Sequence, residues 1–249
     1  MSGNSQAELN WHGMGRAVVR SVEEKEVDGE VRLRDVGVRY GRRVALEAVT
    51  GDFVAGSLTA VVGANGAGKS TLLAAIAGVV PLARGVVACA PRSRLAYLPQ
   101  SAAIDRDYPL NVVELITLGG WREFGAFRSP GKGLRARAAE AAETVGLGGQ
   151  LERSIGEISA GQLQRALFAR LIVQDARVIL LDEPFAAVDA QTMSVLLDQV
   201  SRWHAEGRTI IAVLHDLDVV RARFPSTLVL ARRCVAWGRT ELALPALAA

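Results

Sequence analysis

From Val31 the chain alternates apolar and polar side chains: Val31, Leu33, Val36 and Val38 mark a half-buried strand ending at Tyr40-Gly41. The stretch before Leu58 continues as antiparallel strand and turn. Leu58–Val62 is then a short, wholly apolar run, the mark of a strand buried on both faces. Leu72, Leu73 and Ile76 give one face of a helix. Residues 85–88 and 95–98 predict two more short strands, the second closed by Pro99. Between about 101 and 157 helical patterns take over, at 111–118 and 134–145, separated by glycine-rich loops such as 129–133. Strands are again expected over 178–181, 209–214 and 226–230, with a helix over 190–204. This order predicts an α/β fold with a mainly parallel core sheet, an N-terminal antiparallel β subdomain and an inserted helical subdomain at about 101–157. Residues 1–28 hold no sustained period and end in a charged cluster, so a disordered extension is expected before a single domain over 29–249.

Composition changes this picture little. The 249 residues are 50% hydrophobic and 22% charged, ordinary values for a globular protein with an ample core. A net charge of +3 with no lysine or arginine block gives no footing for a nucleic-acid partner. Cys89 and Cys234 stand far apart in apolar surroundings and read as buried thiols in a reducing cytoplasm. No apolar run reaches the length of a membrane span, and the N-terminus has no signal-peptide core. Any membrane role therefore falls to a partner.

The chemistry concentrates at 61–71, VVGANGAGKST, where Gly63, Asn65, Gly66, Gly68, Lys69, Ser70 and Thr71 belong to one G-x-x-x-x-G-K-[ST] loop between strand and helix. Gly66 and Gly68 lack a β-carbon, so the backbone can curl and aim consecutive N–H groups at a polyphosphate. Lys69 can reach the β- and γ-phosphates, and the Ser70 hydroxyl can ligate Mg²⁺. This is the mark of a P-loop NTPase.

Downstream, the run Val178–Asp182 is continuously apolar until it ends in Asp182 and Glu183. The carboxyl edge of a parallel sheet is where such folds bind ligands, so Asp182 is expected to hold Mg²⁺ and Glu183 to act as general base on the attacking water. Ser159-Ala160-Gly161-Gln162 opens a helix whose apolar stripe is Leu163, Leu167 and Leu171. Its start reads equally as a serine N-cap or as a second phosphate-binding helix N-terminus.

Ser159, Gly161 and Gln162, set between the phosphate loop and Asp182-Glu183, resemble the signature of the ATP-binding-cassette (ABC) ATPases, a likeness running from about 31 to 240. The resemblance implies Mg-ATP as ligand. It also implies a head-to-tail homodimer in which each ATP is held between one copy's phosphate loop and the other's signature helix. Tyr40 matches the aromatic that stacks on adenine, and Gln100 the glutamine that contacts Mg²⁺ or water and relays nucleotide state. Asp189 matches the aspartate of the dimer seam, and a helix N-cap role is compatible with it. His215 matches the histidine that contacts the γ-phosphate. Ala160 departs from the usual glycine, and its methyl is expected to crowd the phosphate only slightly.

Residues 105–112 (DRDYPLNV), 213–217 (VLHDL) and 235–238 (VAWG) resemble the corresponding segments of bacterial zinc/manganese importer ATPases. In such systems an integral membrane permease and an extracytoplasmic metal-binding receptor handle the cargo, with the ATPase peripheral on the cytoplasmic face. Tyr108, Pro109, Trp121 and Phe124 are expected where a permease helix docks, or else in the helical core. Alternatives are the ATPase of a siderophore, haem or drug transporter, or a soluble ABC ATPase outside transport.

Overall fold

The computed structural model describes residues 29–89, 94–100, 106–125, 129–186 and 188–247. The extension expected over 1–28, together with Asp105 and Ala187, lies outside them. The first alternating run is β1 (Val31–Tyr40), which pairs antiparallel with β2 (Arg43–Phe53) and with β4 (Arg84–Cys89) in a sheet of order β2-β1-β4. A second sheet runs β5 (Leu95–Leu98), β6 (Val178–Asp182), β7 (Thr209–Val213), β3 (Leu58–Val62), β8 (Ser226–Leu230) and β9 (Cys234–Arg239). The first five of these are mutually parallel, and β9 lies antiparallel on β8.

The unbroken apolar runs of the central strands follow from cover on both faces. Along β6, Val178 and Leu180 enter one core with the antiparallel sheet and α1 (Lys69–Ile76). Ile179 and Leu181 enter the other, with the helices. Along β7, Ile211 and Val213 face the first core and Ile210 and Ala212 the second. The period of two is intact; only the polar partner is missing.

The helical layer holds α2 (Val112–Thr117), the single turn α3 (Trp121–Phe124), α4 (Lys132–Thr144) and α5 (Ala160–Gln174), with α5 packed on both α2 and α4. Asn111 and Glu114 close α2 with a reciprocal capping box. Helix α6 (Ala190–Ala205) buries Leu196, Val200 and Trp203, and α7 (Leu217–Arg223) leads into β8.

The two short strands read together in the sequence part company: β4 pairs with β1, Leu33 opposite Val87, whereas β5 pairs with β6, Leu95 opposite Val178. Local pattern carries no partner information, and here the partners differ. Strand β9 and helix α7 were not expected; β9 is largely half-buried and α7 buries Val220 alone, so neither shows a strong period. Cys89 and Cys234 are half-buried rather than buried, and desolvation pushes the Cys89 thiol up to about 11.

Phe168 on α5 is fully buried and stacks on Trp203 at 5.8 Å and Phe185 at 6.5 Å, joining the helical layer to α6. Phe168→Ala should therefore cost about 3–5 kcal/mol, read as a lower urea midpoint at unchanged slope. A loss under about 1 kcal/mol would contradict this packing.

Candidate functional site

Strands β3, β6 and β7 are neighbours and parallel, so their carboxyl ends meet at one edge. From β3 the chain turns through 63–68 into α1. Gly68, at φ 94, is the N-cap of α1, and a β-carbon there would press to 2.6 Å from Ala45 O and Leu46 Cδ2. No side chain caps this helix, so its first-turn N–H groups are available to an anion. Lys69 is 6% exposed, and its Nζ donates to Gly63 O at 2.9 Å and Ala64 O at 3.1 Å, folding the ammonium over the loop. The Ser70 hydroxyl donates to Asp182 Oδ1 at 3.0 Å, tying the start of α1 to the end of β6.

Burial lowers the Lys69 ammonium from its ordinary value, against the pull of Glu183 and Asp182. Burial raises the Asp182 carboxyl, partly offset by the Ser70 hydroxyl and the Gln100 N–H. Both charges are thus held where solvation is poor, which suits them to a charged ligand. Ser70 Oγ and Asp182 Oδ1 are adjoining oxygen donors, the type a hard cation such as Mg²⁺ takes.

Glu183 sits at φ 50, a left-handed conformation costing about 1 kcal/mol for a residue with a side chain. Its N–H donates to Val213 O at 3.2 Å, and its Oε1 lies 2.7 Å from His215 Nε2. The strained backbone turns this carboxylate from the end of β6 toward the histidine that follows β7.

Tyr40, Asn65, Gly66, Gly68, Lys69, Ser70, Thr71, Gln100, Glu183 and His215 line one open cavity of about 670 Å³. Gly63 and Asp182 contact it through Lys69 and Ser70. The sequence motifs flagged neither Arg43 nor Ala45, which also line it. The one available signal for Arg43 was its place across a tight turn from Tyr40, its partner in the β1–β2 register.

Ser159, Gly161, Gln162 and Asp189 are not in this cavity. Ser159 and Gln162 form a capping box on α5, and Asp189 caps α6 by accepting from Thr192 N and Thr192 Oγ1, both at 2.8 Å. Those bonds hold the Asp189 carboxyl below its ordinary value. The two helix starts adjoin: a methyl on Gly161 would lie 3.6 Å from Thr192 Oγ1 and 3.7 Å from Asp189 Oδ2. In the helical layer Tyr108 and Trp121 are exposed, whereas Phe124 packs partly on the core and edge-on to Trp121 at 5.2 Å.

An acid whose native pKa is raised binds more protons folded than unfolded. Its penalty is full above the native value and vanishes below the unfolded value near 4. Asp182→Asn should thus raise the melting temperature of nucleotide-free protein at pH 7, with the gain shrinking toward pH 4. A lower melting temperature at pH 7 would contradict a strained charge here.

Comparison with known proteins bears on this geometry. The family model described as "ABC transporter" matches residues 46–186. The chain is 36% identical over 217 residues to the manganese transport system ATP-binding protein MntB of Listeria monocytogenes, covering 85% of this chain and 90% of that one. It is 40% identical over 214 residues to the zinc transport system ATP-binding protein TroB of Treponema pallidum, covering 84% and 80%. A nucleotide-free ATP-binding cassette from an ABC transporter shares the fold, with a TM-score of 0.75 at 22% identity over 86% of this chain and 94% of that one. With its phosphate loop, paired acids and histidine converging on one cavity, the chain belongs to the ABC transporter family, as one of its ATP-hydrolysing subunits.

Proposed function

We propose that this chain powers import of manganese or zinc: it hydrolyses ATP as a head-to-tail homodimer and drives a separate integral membrane permease. Its identity to the manganese and zinc transport ATP-binding proteins supports the cargo class. An extracytoplasmic metal-binding receptor is an indirect partner, and nucleic acid is not one. Among the described residues no helix is long and apolar enough to cross a membrane, which is compatible with a peripheral position on the cytoplasmic face.

The observation that carries the catalytic reading is the Glu183–His215 contact of 2.7 Å in the cavity lined by Lys69. Adenine stacks on Tyr40, while Lys69 and the loop N–H groups, with Asn65 and Thr71 alongside, receive the phosphates. Mg²⁺ would be held by Ser70, Asp182 and Gln100 and would supply charge neutralisation at the phosphate oxygens. Glu183 accepts a proton from the water whose oxygen attacks the γ-phosphorus in line, and the bond to the β–γ bridging oxygen breaks. His215 orients that carboxylate and meets the γ-phosphate.

Ser159, Gly161, Gln162 and Asp189 lie outside the cavity of their own chain, which supports their use by a second copy. The uncapped end of α1 and the start of α5 then close on one triphosphate from opposite sides. Gln100, at the cavity rim, passes nucleotide state toward the permease, and exposed Tyr108 and Trp121 offer it apolar surface.

Glu183→Gln should lower ATP turnover by about a thousandfold, leave ATP affinity within about threefold, and accumulate an ATP-bound dimer on size-exclusion chromatography. Near-normal turnover would reject the base assignment. In cells, deletion of the gene should abolish high-affinity uptake of radiolabelled Mn²⁺ or Zn²⁺ and leave ATP-dependent uptake of siderophores and haem intact. The opposite pattern would reject the cargo class.

A further inference from the structure

Arg43 opens β2 and stands directly opposite Tyr40 in the β1–β2 register. Opposed residues of an antiparallel pair lie about 5 Å apart at Cα, so the two side chains leave the hairpin as neighbours. The guanidinium reaches the phosphate loop: a methyl on Gly66 would lie 3.7 Å from Arg43 Nη2. Arg43 lines the same cavity as Lys69, Glu183 and His215. Arg34 and Arg84 of the antiparallel sheet have carboxylate partners in Asp52 and Asp35, whereas Arg39, like Arg43, has none among the described residues. Among the described residues Arg43 has no ion pair or side-chain hydrogen bond.

An unpaired guanidinium beside a nest of amide donors presents a planar fork of N–H groups to phosphate oxygens. A nucleotide with its base on Tyr40 and its phosphates in the loop must run past Arg43, which adjoins both. We propose that Arg43 is a nucleotide-binding residue that engages the polyphosphate from the solvent side of the loop, a second cation distinct from Lys69. The proposal rests on the reading of the cavity as the ATP site. Lys69 is fixed by two loop carbonyls, whereas Arg43 is exposed and tethered only through its backbone pairing with Tyr40. Its contribution therefore falls on affinity and is screened by salt, with the chemical step left to the buried groups.

The test is a calorimetric titration of the full chain with Mg-ATP and Mg-ADP, for wild type, Arg43→Ala and Arg43→Lys, at low and high salt, with ATPase kinetics and melting temperatures in parallel. Arg43→Ala should weaken both nucleotides about tenfold at low salt, and less at high salt. Its KM should rise by a similar factor, with kcat within about twofold and an unchanged melting temperature. Arg43→Lys should recover about half of the lost binding free energy. Binding by Arg43→Ala within about twofold of wild type overturns the proposal. So does a fall in kcat with unchanged affinity. Wild-type protein that binds neither nucleotide sinks the ATP-site reading itself, a result distinct from an unaffected variant.

Discussion

The bond from Ser70 Oγ to Asp182 Oδ1 is the contact on which the arrangement depends. It joins the first turn of α1 to the last residue of β6, two elements 112 positions apart in the chain. Without it, the phosphate loop would be a glycine-rich turn over a sheet edge, and the buried carboxylate would lack its hydroxyl partner. A lone ionised carboxylate at 2% exposure is expensive, so the fold holds Asp182 only with the Ser70 hydroxyl and the Gln100 N–H in support. Those supports come from α1 and from the end of β5, which places the phosphate loop, the acid and the glutamine in register at one edge.

Poor solvation shapes the rest of the site in the same way. The Lys69 ammonium and the Asp182 carboxylate are each shifted toward neutrality by burial. On the proposed function, a triphosphate with its cation would exchange those unfavourable environments for charge pairs. The left-handed backbone at Glu183 adds a local cost of the same kind, and the return is a carboxylate aimed at His215 rather than along the strand. Stability is given up at the reacting edge and supplied by the two apolar cores on either side of the sheet.

The sequence made legible those parts of the fold whose signal is local. The phosphate loop, the apolar runs of β3, β6 and β7 and the periodic helices α4, α5 and α6 carry their own pattern, and so do the acids at the end of β6. What the sequence did not carry was pairing. Nothing in residues 84–89 or 95–98 says that one joins β1 and the other β6, because both are short and apolar. Strand β9 was hidden because its side chains are half-buried with little alternation, and α7 because its seven residues hold one buried side chain. Arg43 was invisible for another reason: an arginine in a turn is ordinary until the register sets it beside Tyr40 and Gly66. Ser159 and Asp189 show the converse, since cap geometry alone accounts for their local bonds and neither lines the cavity of its own chain.

On the function proposed above, each triphosphate would lie in one copy's phosphate loop and under the other copy's α5. A structure of the wild-type protein with Mg²⁺ and a non-hydrolysable ATP analogue tests this most directly. The account predicts two analogues per dimer, each contacting Lys69 of one protomer and Ser159 of its partner. Analogues bound at Lys69 with Ser159 of every copy turned to solvent, or to a different analogue, would contradict it.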